Sequence, residues 1–256
     1  MDLTEAQWSA VELYIPARER RSRKKAGRPW QPARDVVNAA LWILRTGAPW
    51  ADLPARYPSY QTAHRRYQRW VEGGVFEKIL EGLADHLAAY GKLDLTEGFI
   101  DGTHAGEKKG GPLVGITRRG KATKIMAVAD GNGLPLAVGI ASGERAEVAL
   151  VEETLDRSFV DEFPANLIGD AAYDSNKLDA ALKEKGVEMI SPVNPRHKNN
   201  TQDGRRFRRY RRRWKIERLI AWIMRFRRVV TRYEHKAENF LGFVQLACIA
   251  VLLRHI

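Results

Sequence analysis

The stretch ANLIGDAAYDS, residues 165–175, carries two apolar residues, Leu167 and Ile168, into Gly169-Asp170 and then turns. An earlier stretch, EGFIDGTHAG at 97–106, has the same form, with Phe99 and Ile100 running into Asp101-Gly102. Short apolar runs bounded by turn formers read as buried strands, so two strands are each expected to end in an aspartate. Taken singly, Gly-Asp and Asp-Gly are ordinary turn signals. Their recurrence calls for a chemical reason.

The elements on either side supply a geometry. KATKIMAVA (121–129), the turn DGNG (130–133) and LPLAVGIAS (134–142) predict a hairpin. ERAEVALVEETLDRS (144–158) and SNKLDAALKEK (175–185) predict helices, and VEMISPV (187–193) a further strand. A linker, NPRHKNNTQDGRR, then leads into a long basic helix over YRRRWKIERLIAWIMRFRR (210–228). Three strands, helix, strand, helix, strand, helix is the order of a ribonuclease H-like mixed α/β sheet flanked by helices. In that arrangement the first and fourth strands lie side by side and parallel, which brings Asp101 and Asp170 together at one edge. Converging carboxylates suit a hard divalent cation, which takes oxygen ligands.

A site for two such ions needs a further acid. Glu217 is the only acid between Asp203 and Glu234, and helical spacing sets it on one stripe with Tyr210 and Arg213. Two readings stand for it: a metal ligand, or a glutamate that relieves repulsion among arginines through i,i+4 pairing.

Before residue 93 the patterns are helical. RDVVNAALWILR (34–45) is stopped by Gly47 and Pro49, a short helix at Pro49–Leu53 follows, and Ser59 opens a third, YQTAHRRYQRWVE, ended by Gly73-Gly74. Ala63, Tyr67, Trp70 and Val71 form its apolar face, and Arg65, Arg66 and Arg69 are expected to face outward. That is the form of a helix-turn-helix recognition helix, with an ordinary solvated basic helix as the alternative. The expected division is 1–92, helical and helix-turn-helix-like, and 93–256, the mixed α/β part.

The formal net charge is +12. Residues 196–236 hold 16 lysines and arginines against three acids, a net +13, so the rest of the chain is close to neutral. Charge gathered in one segment points to a polyanion, and nucleic acid fits better than lipid. The loop EKKGGPLVGITRRGK (107–121) adds Arg118, Arg119 and Lys121, read as contacts to the DNA backbone or as a solvated loop. It lacks the spacing and the following helix of a phosphate-binding P-loop. His104 is a minor candidate for metal or phosphate contact, and Trp214 and Trp222 are expected to pack the basic helix on the sheet. The single cysteine, Cys248, lies in an apolar run and excludes a disulfide framework, and no Cys/His cluster has zinc spacing. The start, MDLTEAQWSAVELYIP, has no leader pattern, and FLGFVQLACIAVLL (240–253) is too short to span a bilayer. A cytoplasmic protein is expected, with its last helix buried against the sheet domain or a second copy.

The spacing Tyr210-x2-Arg213-x3-Glu217 is similar to the signature of bacterial insertion-sequence transposases with a DDE (Asp-Asp-Glu) triad. The words RPW, LWILRTGAPWADLP, FIDGTHA, TKIMAVADGNGLPL, GDAAYDS, WKIERLIAW and RYEHKAENFLGFVQLACIAVLL resemble the insertion-sequence five group, from about residue 28 to the end. The group's signature often has a lysine after the glutamate, with six residues between them. Here Met224 stands there, and Arg225 is the substitute for that contact. The resemblance implies that Asp101, Asp170 and Glu217 hold two Mg²⁺ or Mn²⁺ ions, and that Tyr210, Arg213 and Arg225 contact DNA. It further implies recognition of terminal inverted repeats, attack by water and then by the freed 3′-hydroxyl, and assembly at least as a dimer. The rival expectations are a catalytically silent DNA-binding relic and a metal-dependent nuclease that does not join.

Overall fold

The computed structural model describes residues 2–17, 30–193 and 207–256. The expected linker, with Arg196, Lys198, Arg205 and Arg206, lies outside the described residues.

The chain opens with four helices: α1 (Glu5–Glu12), α2 (Ala33–Thr46), α3 (Tyr60–Glu72) and α4 (Val75–Ala89), with a single 3₁₀ turn at Trp50–Asp52 between α2 and α3. Thr4 and Gln7 close a capping box on α1. Gly47, at φ 70°, ends α2 in the left-handed conformation that only glycine adopts readily.

The strands are β1 (Gly98–Glu107), β2 (Gly115–Thr117), β3 (Gly120–Ala129), β4 (Pro135–Ser142), β5 (Asn166–Ile168), β6 (Glu188–Ile190) and β7 (Thr231–Arg232). Along the sheet the main order is β4-β3-β1-β5-β6, with β2 also on β3 and β7 on the far end of β1. β1, β3 and β4 are antiparallel, whereas β5 and β6 run parallel to β1. This is the expected ribonuclease H-like mixed sheet, including the parallel contact between the first long strand and the strand that precedes Asp170.

Period-two alternation in β1 and β3 sends side chains to two different cores. Phe99, Ala105, Ile125, Ala127 and Ala129 join α1–α4, α8 (Trp214–Ile223) and α10 (Ala237–Leu252) in one apolar cluster. Ile100, Met126 and Val128 join α5 (Val151–Leu155) and α6 (Asn176–Glu184) in the other. α10 is apolar nearly all round because it is enclosed, with α2, α3, α4, α8 and β4 packed around it. At Gly242 the crossing is close enough that an added Cβ would meet Val71 and the Tyr67 hydroxyl, which donates to the Asn239 carbonyl at 2.6 Å. The N-terminal helices and the sheet therefore share one hydrophobic core.

Three expectations are corrected here. β1 does not end at Asp101, since β3 pairs with it without interruption from Phe99–Ala129 to Gly106–Ala122 and tertiary pairing overrides the local turn signal. The helix expected over 144–158 is shorter, a 3₁₀ turn at Glu147–Leu150 followed by α5, because Ser142–Arg145 closes a turn first. The single basic helix is broken into α7 (Phe207–Tyr210), α8 and α9 (Arg227–Val230). Its arginines and lysines are drawn to different partners, and Phe226 adopts an extended conformation ahead of α9.

Candidate active site

β1 and β5 set Gly98 opposite Leu167 and Phe99 opposite Ile168. Continued by two residues, that register puts Asp101 level with Asp170. There β5 has ended and the chain turns, and Asp170 caps the 3₁₀ turn Ala171–Tyr173 by accepting from the Ala172 amide at 2.7 Å. Asp101 accepts from the Gly102 amide at 2.8 Å.

The third acid arrives on α8, which is fastened over the sheet edge by both apolar and polar contacts. Ile216, Leu219 and Ile223 are buried. Lys215 donates to the Gly131 carbonyl, and Arg218 to that of Asn132 at 2.6 Å, so the β3–β4 turn holds the helix by two of its carbonyls. Glu217 lies in the first turn of α8, one turn beyond its N-cap, Arg213.

Asp101, Asp170 and Glu217 meet at the Arg213 guanidinium. Arg213 Nη2 lies 2.7 Å from Asp101 Oδ2 and 3.7 Å from Glu217 Oε1, and Nη1 lies 3.9 Å from Asp170 Oδ2. The Tyr210 hydroxyl is 3.5 Å from Nη1. Side-chain exposure rises from 17% for Asp101 through 38% for Asp170 to 62% for Glu217, so the cluster is a cleft closed at the sheet and open toward α8. Burial pushes the Asp101 carboxyl above its ordinary range, and Glu147 and Asp170 push the same way, against the Gly102 amide and Arg213. Burial alone would lower the Arg213 pKa, but Asp101, Tyr210 and Asp170 outweigh it and raise it.

Sequence reasoning missed a fourth carboxylate, Glu147. It comes from the opposite face of the sheet and fills the space beside Gly102, where an added Cβ would lie 2.7 Å from its carboxyl carbon. The Tyr173 hydroxyl donates to it at 2.9 Å, and Lys124 Nζ lies 3.4 Å away while donating to the Arg145 carbonyl. Burial, then Glu147, raises the Tyr173 pKa so that it stays a hydrogen-bond donor. The word GERAEVA contained the residue, but only the fold carries it under β1.

The other candidates separate by placement. Arg65 and Arg69 are exposed on α3. Arg66 is not on that surface: it is buried, stacked between Trp30 and Trp70 at 4.7 and 5.0 Å, and it donates to the Gln31 carbonyl. The expected outward face placed it by helical angle, whereas two flanking tryptophans pull it in. Arg118, Arg119 and Lys121 are exposed at the tip of the β2–β3 hairpin, where a loop was expected. Arg225 is exposed and Met224 packs against the main core. His104 points to the face of β1 opposite Asp101 and meets the Gly143 carbonyl at 3.0 Å. Trp214 is 49% exposed and outside both apolar clusters, whereas Trp222 packs against the main one. The two enclose Arg218 at 4.7 and 4.8 Å.

Much of the basic segment's charge has internal partners. Arg209 and Arg212 pair with the buried Glu97, Arg228 with Glu234, and Arg232 with Glu107. The formal +13 thus overstates the charge that faces solvent.

Among the described residues no group of three or more His, Cys, Asp or Glu is arranged as a ready metal cage, and no helix is long and apolar enough to cross a membrane. Three of the groups around Arg213 are nonetheless carboxylates from separate parts of the chain, and a cation already stands among them. Such a donor set fits Mg²⁺ or Mn²⁺.

Residues 3–80 match a family described as putative transposases of the IS4/5 family, and residues 94–252 match the transposase DDE domain. An uncharacterised protein of Sinorhizobium fredii, y4sN, is 37% identical over 82 residues, covering 32% of this chain and 62% of its own length. The putative transposase for insertion sequence element IS402 of Burkholderia cepacia is 29% identical over 157 residues, 58% of this chain and 71% of that one. That for IS6501 of Brucella ovis is 34% identical over 135 residues, 52% of this chain and 98% of that one. A solved piggyBac transposase, in a synaptic complex with hairpin DNA, superposes with a TM-score of 0.54 over 97% of this chain and 70% of its own. At 11% identity that likeness concerns the fold alone. With a match running over residues 94–252, well over half its length, the chain belongs to the transposase DDE-domain family.

Proposed function

We propose that the chain is an insertion-sequence transposase that recognises terminal inverted repeats, cuts the element end and joins it to target DNA. The observation that carries this reading is the convergence of Asp101, Asp170 and Glu217, from β1, the β5 turn and α8, on one guanidinium. Two Mg²⁺ or Mn²⁺ ions held by these carboxylates would supply activation of an attacking oxygen and charge stabilisation at the leaving 3′ oxygen.

The remaining work falls to the chain's own groups. Asp101, fixed by the Gly102 amide on a strand paired along its whole length, is the rigid wall of the site. Glu217, 62% exposed at the open side, is free to meet a substrate. Arg213 must leave the carboxylates when cations enter, and a DNA phosphate is the acceptor that suits a bidentate guanidinium. Tyr210 beside it, Arg225 further along, and Arg118, Arg119 and Lys121 on the β2–β3 hairpin are proposed backbone contacts. Arg65 and Arg69 on the outer face of α3 are the proposed contacts to the terminal repeat, in a helix-turn-helix arrangement within residues 1–92. Bringing two ends together calls for at least two copies on DNA.

The test is a strand-transfer assay on labelled terminal-repeat DNA with Mg²⁺ or Mn²⁺, comparing wild type with Glu217→Gln. Joined products from wild type, and DNA binding with a loss on the order of 10³-fold from the variant, are expected. Cleavage without joining makes the protein a nuclease; binding with neither makes it a relic.

A further inference from the structure

Both aspartates of the cleft have a glycine neighbour, and neither glycine is there for its backbone conformation. Gly102 and Gly169 are absent from the positive-φ glycines. Each instead leaves room for one partner of a single hydrogen bond. A Cβ at Gly102 would meet the Glu147 carboxyl carbon and Oε1, both at 2.7 Å. A Cβ at Gly169 would meet the Tyr173 ring at 2.5 Å. Glu147 and Tyr173 then meet each other at 2.9 Å.

We propose that the Tyr173–Glu147 hydrogen bond is a strap that sets the position of Asp170 relative to Asp101, making Glu147 and Tyr173 positioning residues of the cleft. The inference rests on the reading that the two aspartates share cations. The need for a strap follows from the sheet. β5 ends at Ile168, its ladder contacts with β1 are at Gly98–Leu167 and Phe99–Ile168, and on the β6 side the last backbone bond is from the Gly169 amide to the Ile190 carbonyl at 3.1 Å, so the sheet holds the chain up to Gly169 and Asp170 itself lies beyond the ladder. Asp170 opens a three-residue 3₁₀ turn whose last residue is Tyr173, completely buried. Its hydroxyl reaches under the sheet to Glu147, which is seated against Gly102, the residue next to Asp101. Lys124, on β3, carries the load further: it lies 3.4 Å from Glu147 and donates to the Arg145 carbonyl at 2.7 Å. The turn bearing one aspartate is thereby tied to the strand bearing the other and to that strand's neighbour. Residues that orient metal ligands from behind commonly change metal affinity by about 10- to 100-fold when altered.

Mn²⁺ binding to the full chain without DNA, followed by electron paramagnetic resonance, separates the possibilities, with melting temperature and terminal-repeat binding recorded alongside. Wild type is expected to bind and Asp101→Asn to lose binding. Tyr173→Phe, which removes one oxygen from a buried ring, should bind Mn²⁺ about 10-fold more weakly while its affinity for DNA stays unchanged. Should that variant not fold, Glu147→Asp draws the carboxylate back by one methylene and should weaken Mn²⁺ in the same way. Wild-type affinity in a folded Tyr173→Phe, or in Glu147→Asp where that variant replaces it, overturns the strap alone. No Mn²⁺ binding by wild type overturns the shared-cation reading, and the strap with it.

Discussion

Two groups of arginines in the last fifty residues gather carboxylates from other parts of the chain, and they are built to opposite ends. Around Arg228 and Arg232 every charge is sealed. Arg232 is completely buried and gives its N–H groups to the carbonyls of Glu234, Pro112 and His235 and to Thr123 Oγ1, all at 2.7–2.9 Å, with Glu107 at 3.5 Å. Arg228 holds Glu234 at 2.6 Å and the Gly47 and Ala48 carbonyls at the end of α2. Around Arg213 one contact is short, the others are 3.5–3.9 Å, and the buried Nε has no partner. The first group is a joint between the N-terminal helices and the sheet. The second holds three like charges on one cation at a solvent-open edge.

If the sealed group is structural, Arg232→Met should be the most damaging of the following changes. It leaves Glu107 buried without its partner and should cost about 3–5 kcal/mol, read by denaturant unfolding. A loss below about 1 kcal/mol would break the contrast. The same logic divides the arginines assigned to DNA. Arg66→Gln gives up two ring stacks and the bond to Gln31, about 1–2 kcal/mol of stability. Arg118→Gln with Arg119→Gln should leave unfolding unchanged but flatten the dependence of log affinity on log salt by about 2.

The sealed joint also reaches His64, stacked on Trp50 at 4.9 Å. Burial, then the field of Arg228, lowers its pKa. The folded protein therefore resists taking a proton that the unfolded chain accepts below its ordinary value. Stability is fully present above about pH 6.5 and falls as pH drops through it. His64→Phe keeps the stack and should remove that slope. In the open group, Arg213→Gln should change unfolding by less than about 1 kcal/mol, since water can solvate Asp170 and Glu217. A loss as large as that of Arg232→Met would show the open cleft to be a structural joint too.

The order of strands and helices was legible because each rests on local pattern. The apolar runs before Asp101 and Asp170, the DGNG turn and the helical face of Ala63, Tyr67 and Trp70 all appear where their periodicity placed them. Patterns failed where a distant partner outweighed a local preference. Asp101-Gly102 reads as a turn, yet β3 holds it as strand, and Gly102 serves Glu147, 45 positions away. Arg66 reads as an outward residue, yet Trp30 and Trp70 enclose it. The basic run reads as one surface for a polyanion, yet Glu97, Glu107 and Glu234 take up much of it.

By itself the sequence determined the order of strands and helices and the parallel pairing that levels Asp101 with Asp170. Those depend on hydrophobic period and chain order, which are written along one dimension. Only the tertiary structure decided which arginines face water, which are sealed, and that Glu147 and Tyr173 meet beneath the sheet. Those depend on side chains from separate elements competing for the same few ångströms, and spacing along the chain carries no record of that competition.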